Sequence, residues 1–282
     1  MPPHSYLGRI AYVDYVLGAL MRGIDASPLA NRTALIVHSD HGDYGGDWQA
    51  VEKWPGGMED VLTRVPLLAR LPGGAKGVRV AAPVMSIDLY PTMLELAGVP
   101  TTNLSAVQFG LSLVPYMQSG AAPPQLVHDF VYSEGGYSNF MEYEPNDPQQ
   151  RSDYSDPKGF YYPRGREELG APLHIDRVVM MRNATAKLVY RPRGVSELYD
   201  MASDPRELMN VYANASYAAL RAEMTDGLLR WLVLTSDVTP VDDDVRGLPA
   251  APKPPFPWPP KAPAPGEAAG VAPERAKLRR AK

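Results

Sequence analysis

A short apolar run that ends abruptly in a polar turn is the feature that most constrains the fold of this chain. Residues 33–37 are apolar or β-branched, and Ser39-Asp40-His41-Gly42 follows them almost at once. Such a run is typical of a buried strand in an α/β sheet, and open α/β sheets place their ligand sites at the carboxyl ends of strands. A second run, at residues 65–71, has the same form and ends at Pro72-Gly73-Gly74. The sequence therefore predicts two strands, the first of which leads into a candidate site.

Helical patterns lie on both sides of these two runs. Residues 6–24 space their apolar side chains at helical intervals. Residues 87–97 form a second predicted helix, with Ser86 as its N-cap and Gly98 as its C-terminal stop. The order helix, strand, strand, helix predicts an α/β layer with a largely parallel sheet, and we assign residues 1–125 to it.

The second half of the chain has a different pattern. A further strand is predicted at residues 130–134, and a polar, Tyr- and Pro-rich surface loop is predicted at 137–172. An antiparallel meander and a closing helix are then predicted from β-like segments and from helical spacing, at 177–182, 187–191, 197–200 and 215–234. Residues 126–240 thus make a small antiparallel subdomain with a C-terminal helix. Residues 241–282 are rich in Pro and Ala and predict a disordered tail.

Composition narrows the classes of partner and the cellular setting. The net charge is −4, so nothing indicates a nucleic-acid partner, and no apolar run is long enough to span a membrane. The chain has no cysteine, which removes disulfides and thiolate ligands. No secretory signal follows Met1, yet the N-glycosylation pattern occurs at Asn31, Asn103, Asn183 and Asn214. We therefore expect a secretory-pathway or extracellular protein whose targeting signal lies upstream of this chain.

The residues of the polar turn suit a metal ion. The Asp40 carboxylate suits Ca²⁺, Mg²⁺ or Mn²⁺, and the His41 imidazole also suits Mn²⁺ and Zn²⁺. Gly42 lets the backbone turn sharply, so that both side chains can face one point. Taken by itself, this tripeptide is more typical of a plain turn after a strand than of a metal site.

An ordered series of motifs changes that interpretation. After the turn come Glu52-Lys53-Trp54-Pro55-Gly56, Thr63-Arg64-Val65-Pro66-Leu67 and Asp88-Leu89-Tyr90-Pro91-Thr92, and farther on Glu197-Leu198-Tyr199-Asp200 with Asp204-Pro205-Arg206-Glu207. From about Tyr6 to Leu234, this series resembles the type I sulfatase family of the alkaline-phosphatase-like superfamily. The resemblance implies a mixed alkaline-phosphatase-like sheet flanked by helices.

The same resemblance implies a site and a chemistry. Asp40 and His41 match the family's late pair of divalent-metal ligands, with Ca²⁺ as the usual ion and Mg²⁺ or Mn²⁺ as alternatives. Lys53 matches the lysine that contacts the sulfate group, although in isolation it would be taken for a solvated surface lysine. The implied reaction is hydrolysis of a sulfuric ester, with a small sulfate ester or a sulfated glycan as substrate.

The remaining candidate side chains are assigned no catalytic role. We expect Arg64 to brace the site loop, Asp88 to serve the start of its helix, and His38 to be an interior residue. His4 is expected upstream of the first helix, too close to Tyr6 to match the additional catalytic His of the family. His128 and His174 have no recognisable partners in the sequence, and we interpret the acidic residues Glu142, Glu144 and Asp147 as part of a solvated loop.

The nucleophile of the family is missing. Type I sulfatases carry a Cys/Ser-x-Pro-x-Arg motif whose first residue becomes formylglycine, and this chain contains neither form of it nor the early Asp pair of metal ligands. Either the chain belongs to a truncated gene model of a sulfatase or it is an inactive fragment, and we favour the first. A phosphodiesterase or phosphonate monoester hydrolase of the same superfamily and a non-catalytic binding fragment remain alternatives. Whether this chain is an enzyme by itself, and its oligomeric state, stay open.

Overall fold

The computed structural model describes residues 3–50, 52–54, 56–99, 109–136, 156–159, 162 and 176–236. The helices of this part of the chain are α1 Pro3–Asp25, α2 Asp60–Thr63, α3 Leu89–Leu96, α4 Val114–Ser119 and α5 Ala218–Ser236. Its strands are β1 Leu35–His38, β2 Leu67–Arg70, β3 Val131–Gly135, β4 Val178–Arg182, β5 Ala186–Tyr190 and β6 Glu197–Asp200. The predicted tail at 241–282 lies outside the described residues, as does all of the predicted loop at 137–172 except 156–159 and 162.

Strands β1 and β2 form a two-stranded antiparallel sheet, in which Leu35 pairs with Arg70 and His38 with Leu67. The prediction of a largely parallel sheet was therefore wrong for this pair. A parallel connection needs a crossover of a dozen or more residues, usually a helix. Between these strands the described residues contain, as α-helix, only the four residues of α2, and the chain instead turns back on itself.

The second half forms a four-stranded antiparallel sheet in the order β3-β4-β5-β6. This confirms the predicted meander, and it adds the strand predicted at residues 130–134 to the same sheet, as β3. The closing helix is α5, preceded by a 3-10 turn whose N-cap Asn214 accepts a hydrogen bond from the amide of Ser216. Strand alternation gives this sheet two buried faces.

One face of the sheet packs against α5 and the other against the segment that follows the candidate site. Towards α5, Met181, Leu188 and Leu198 form a fully buried core with Met224 and Leu228. On the opposite face, Val178, Met180 and Val189 enclose Met58. Each such buried side chain contributes about 1.5–3 kcal/mol to folding. The sheet is thus a platform against which the site segment rests.

The start of α3 is organised by a buried carboxylate. Asp88 is fully buried, and it accepts hydrogen bonds from the amides of Met85 (2.7 Å) and Leu111 (2.8 Å). It therefore serves the helix start, as predicted, but Ser86 is not the N-cap: a 3-10 turn, Ser86–Asp88 with Met85 as its N-cap, leads into α3, and Asp88 is the N-cap of α3 itself. The third partner is the buried imidazole of His128, whose Nε2 lies 2.8 Å from Asp88 Oδ1. The expectation that His128 has no partner was wrong, because its partner lies 40 residues away in the sequence.

Helix α1 confirms the predicted N-terminal helix, but its apolar side chains are largely exposed, including Leu7, Val13 and Leu20. Its helical periodicity marks a face suited to burial, and the described residues do not cover that face. In the described ranges, no helix is both long and apolar enough to cross a membrane.

Candidate functional site

Asp40 and His41 lie in the turn directly after β1. The backbone N–H of His41 donates to Asp40 Oδ1 at 3.0 Å, and the other carboxylate oxygen, Oδ2, lies 3.5 Å from His41 Nε2. The hydrogen bond from His41 is the main reason that the pKa of Asp40 lies below its usual value. The side chain of Asp40 is 83% exposed, so an ionised carboxylate is presented beside an imidazole.

Gly42 holds this turn against helix α2. Its amide donates to the carbonyl of Leu62 at 2.8 Å, and a Cβ at this position would lie only 1.8 Å from the carbonyl oxygen of Val61. No side chain can be accommodated there without moving the backbone. The sequence suggested that Gly42 permits a sharp turn, and the structure adds that the glycine permits close contact with α2.

His41 and Lys53 are in direct contact. His41 Nδ1 lies 2.8 Å from the carbonyl oxygen of Gly42, and because a carbonyl only accepts, Nδ1 carries the proton. Nε2 is then an acceptor, and the Lys53 ammonium donates to it at 2.7 Å. The structure therefore brings the three predicted site residues, Asp40, His41 and Lys53, to one point.

The chain returns to His41 through a folded-back loop at residues 43–52. The amide of Tyr44 donates to the carbonyl of Glu52 at 2.9 Å, and the amide of Gly46 donates to the carbonyl of Ala50 at 3.0 Å. Tyr44 and Ala50 pack on Leu62 in a small buried cluster, so this loop also rests on α2. Lys53 follows directly, and its approach to His41 depends on the packing of this loop.

Two of the site's donors can share one cation. Ligand atoms lie about 2.0–2.6 Å from a bound divalent ion, so two ligands of one ion are separated by less than about 5 Å. The 3.5 Å between Asp40 Oδ2 and His41 Nε2 meets this condition. Among the described residues no group of three or more His, Cys, Asp or Glu is placed to hold a metal. The pair therefore fits a metal ion as part of a larger ligand set, and Lys53 must leave Nε2 when the ion binds.

Two other predictions near the site are not supported. His38, expected in the interior, is exposed at the end of β1, because β1 and β2 form a sheet of only two strands within the described residues. Arg64, expected to brace the site loop, is also exposed, and no hydrogen bond or ion pair of its guanidinium is found among the described residues. His4, expected upstream of the first helix, lies instead within its first turn, because α1 begins at Pro3. His174, Glu142, Glu144 and Asp147 lie outside the described residues.

A buried charge cluster behind α2 was missed from the sequence. Lys187 Nζ lies 2.7 Å from Glu207 Oε1 and 3.1 Å from Asp60 Oδ1, and Arg182 reaches Asp60 Oδ2 at 3.1 Å. Burial raises the pKa of Glu207 to about 7, by more than the neighbouring Lys187 charge lowers it. Burial also tends to raise the pKa of Asp60, but the charges of Lys187 and Arg182 together hold that pKa below its usual value. The sequence signal that could have revealed this cluster is Lys187, a charged residue within the otherwise apolar strand 186–190.

A cleft of about 340 Å³ lies between the site segment and the turn joining β5 to β6. Trp54, which follows Lys53, lines it together with Tyr44, Glu59, Arg191, Val195 and Glu197. The hydroxyl of Tyr44 donates to Glu59 Oε2 at 2.7 Å, and Arg191 Nε donates to Glu197 Oε1 at 2.8 Å. An aromatic ring beside paired charges can contact both the apolar and the polar parts of a small molecule.

Residues 2–99, which include the turn, Lys53 and α3, match the family model described as Sulfatase. Over these residues the chain is similar to the sulfatase family. The choline-sulfatase of Rhizobium meliloti is 27% identical over 224 residues, which are 78% of this chain and 35% of that protein. The N-acetylglucosamine-6-O-sulfatase of Bacteroides thetaiotaomicron is 26% identical over 223 residues, which are 78% of this chain and 34% of that protein.

A solved structure supports the predicted fold of this chain. The phosphonate monoester hydrolase of Agrobacterium radiobacter superposes with a TM-score of 0.63 at 28% identity, covering 81% of this chain and 40% of that one. This confirms the predicted alkaline-phosphatase-like architecture, with its mixed α/β part, antiparallel strands and C-terminal helix. The chain spans about a third of the length of the two curated relatives described above.

Proposed function

We propose that this chain supplies part of the active site of a sulfuric ester hydrolase: two metal ligands, Asp40 and His41, and a sulfate contact, Lys53. The observation that carries the proposal is their meeting at one point, with Lys53 Nζ 2.7 Å from His41 Nε2 and Asp40 Oδ2 3.5 Å from the same nitrogen. His41 and Lys53 lie 12 residues apart in the sequence, and their two segments converge because both rest on α2.

Each of the three side chains has a physical task in this proposal. The ionised Asp40 carboxylate binds the cation, with Ca²⁺ first and Mg²⁺ or Mn²⁺ as alternatives. The hydrogen bond from His41 Nδ1 to Gly42 fixes the tautomer that offers Nε2 as a ligand. The Lys53 ammonium stabilises negative charge that develops on the sulfonyl oxygens. A divalent ion held by Asp40 and His41 would supply positive charge near the reacting oxygens.

The nucleophile must come from outside this chain. Its 282 residues include no cysteine and no Ser-x-Pro-x-Arg motif, so no formylglycine precursor is encoded here. Turnover is therefore proposed for a sulfatase domain in which another polypeptide segment provides the nucleophile and the remaining metal ligands. For the substrate we propose a small sulfate ester or a sulfated glycan, with the cleft beside Trp54 receiving the part that carries the sulfate. We propose a secretory-pathway or extracellular location.

A second candidate reaction is hydrolysis of a phosphonate or phosphate diester. It is favoured by the TM-score of 0.63 with the phosphonate monoester hydrolase of Agrobacterium radiobacter. An imidazole ligand such as His41 also suits Mn²⁺, which accepts nitrogen more readily than Ca²⁺ does. Sulfate and phosphate esters present similar oxygens to Lys53, so the distinction needs a direct comparison of substrates.

A chimeric enzyme tests the proposal. This chain is joined to the part of the Rhizobium meliloti choline-sulfatase that precedes its matching region, and hydrolysis of an aryl sulfate is compared with that of an aryl phosphodiester. We expect sulfate turnover that falls by about 10²–10³ in kcat in Lys53→Met, as when one charge-stabilising donor is removed. Arg230→Met, which removes an exposed ion pair in α5, serves as the control.

The outcome separates the candidates. Faster turnover of the aryl sulfate supports the sulfatase assignment, and faster turnover of the diester supports the second candidate. A folded, metal-loaded chimera that turns over neither ester contradicts both.

A further inference from the structure

A fully buried lysine joins the C-terminal sheet to the segment that carries the candidate site. Lys187 lies in the middle of the four-stranded sheet, on β5, and its side chain is 0% exposed. Its ammonium contacts Glu207 Oε1 at 2.7 Å and Asp60 Oδ1 at 3.1 Å. Asp60 lies 127 residues earlier in the chain, at the first position of α2. Burying an ammonium without partners is costly, and the contacts with these two acidic side chains offset that cost for Lys187.

The sheet also places a second cation beside Lys187. Arg182 on β4 and Lys187 on β5 are direct cross-strand partners, and like charges in that relation destabilise a sheet. Asp60 offsets the repulsion between these two cations, because one of its carboxylate oxygens contacts Lys187 and the other contacts Arg182 at 3.1 Å. Both cations lie on the face of the sheet that also holds Met58, two residues before Asp60. This face is therefore complementary in charge and in shape to the start of α2.

Glu207 completes the attachment of α2. While Oε1 contacts Lys187, Oε2 accepts the backbone N–H of Asp60 at 3.0 Å. Glu207 has a φ of 58°, a left-handed conformation that is uncommon for a residue other than glycine and costs on the order of 1 kcal/mol. The two hydrogen bonds hold it in that conformation.

Helix α2 contacts the metal-binding turn directly, so the contacts that hold α2 in place also restrain the turn. The Gly42 amide donates to the Leu62 carbonyl, and Gly42 lies so close to the Val61 carbonyl that no Cβ fits between them. Since α2 contains only four residues, its own hydrogen bonds hold it weakly. The contacts of Asp60 at one end therefore contribute much of its placement, and α2 in turn determines where Asp40 and His41 lie.

We propose that Lys187, acting through Asp60 and Glu207, is a positioning residue for the Asp40-His41 metal-binding turn. The proposal rests on the proposed function of that turn. Active-site geometry tolerates little displacement, and partners behind metal ligands change metal affinity by about 10- to 100-fold when they are lost.

The test compares three variants of the 282-residue chain by hydrogen exchange and by Mn²⁺ binding. Lys187→Met removes the ammonium, Lys187→Arg retains a positive charge, and Arg230→Met removes an exposed ion pair in α5 as a control. In Lys187→Met we expect about a tenfold loss of Mn²⁺ affinity and at least tenfold faster exchange of the Gly42 amide. The amides of Met180 and Leu188 should keep their protection. Lys187→Arg should restore part of both effects, and the control should change neither.

Each result decides a separate point. Unchanged Gly42 exchange and Mn²⁺ affinity in Lys187→Met overturn the positioning role, and so does a loss of protection that is equal in the sheet and in the turn. If the unchanged chain binds no Mn²⁺ while Gly42 exchange still responds to Lys187→Met, the restraint stands and the proposed metal site fails. Should Lys187→Met not fold, Glu207→Gln provides the same comparison, because it keeps the side-chain shape and weakens the contact with Lys187.

Discussion

Replacing Glu207 by glutamine should flatten the dependence of folding stability on pH between about pH 5 and pH 8. In the native protein, burial raises the pKa of Glu207 from 4.5 to about 7. The native state therefore binds this proton more tightly than the unfolded state does. The contribution of Glu207 to the free energy of unfolding is then largest below pH 4.5 and declines as the pH rises through 7.

The size of this effect follows from the shift in pKa. One pKa unit corresponds to about 1.4 kcal/mol, so the gap between 4.5 and about 7 sets an upper limit on the order of 3 kcal/mol. The titration of Glu207 is coupled to the charges of Lys187 and Asp60. We therefore expect the measured free energy of unfolding to decline by about 1–3 kcal/mol between pH 5 and pH 8. Glutamine does not titrate, so the variant should lack this decline.

Urea unfolding at several pH values, followed by far-ultraviolet circular dichroism, measures the difference. All other ionisable groups are common to both proteins, so subtracting the variant's profile from the parent's isolates the contribution of Glu207. Parallel profiles would refute the reasoning. A parent protein that gains stability with pH relative to the variant would also refute it, since that sign means that Lys187 keeps Glu207 ionised and lowers its pKa.

Three further substitutions test the packing. Gly42→Ala should cost about 1–3 kcal/mol and abolish Mn²⁺ binding, because its Cβ would lie 1.8 Å from the Val61 carbonyl oxygen; a variant that binds Mn²⁺ with unchanged affinity contradicts this. Leu188→Ala should cost about 2–5 kcal/mol in urea unfolding, because Leu188 is fully buried between the sheet and α5; a loss below about 1 kcal/mol would mean that this core is not closed. Trp231→Ala should cost about 3–5 kcal/mol, since its ring stacks on Tyr132 at 4.0 Å, and Leu229→Ala, an exposed position on the same helix, should change the stability little.

Local patterns in the sequence were sufficient for most of the elements. Short β-like segments predicted the strands of the meander, and helical spacing predicted α1 and α5, because both patterns depend on neighbouring residues alone. The direction of β2 relative to β1 was not predictable in this way. It depends on how the chain turns back after β1, where backbone hydrogen bonds join Gly42 to Leu62 and Tyr44 to Glu52.

In the candidate site, too, local motifs were predictable from the sequence and contacts between distant residues were not. Asp40, His41 and Lys53 were identified through an ordered series of motifs, and the structure places them together. The contact of His128 with Asp88 and that of Lys187 with Asp60 join residues 40 and 127 positions apart, and no local pattern records such pairs. Burial of a lysine in a strand, as at Lys187, is visible in sequence only as one charge in an apolar run.

Mn²⁺ titration of the 282-residue chain, followed by paramagnetic line broadening in nuclear magnetic resonance spectra, tests the central claim most directly. If Asp40 and His41 are two ligands of one cation beside Lys53, broadening should centre on the amides of residues 40–42 and on the His41 ring. Since two protein ligands bind a hard cation weakly, the dissociation constant should be on the order of 1 mM. His41→Ala should remove the effect, and excess Ca²⁺ should compete with it. Broadening that is unchanged in His41→Ala, or that centres on acidic residues elsewhere, would contradict the assignment of this turn as the metal site.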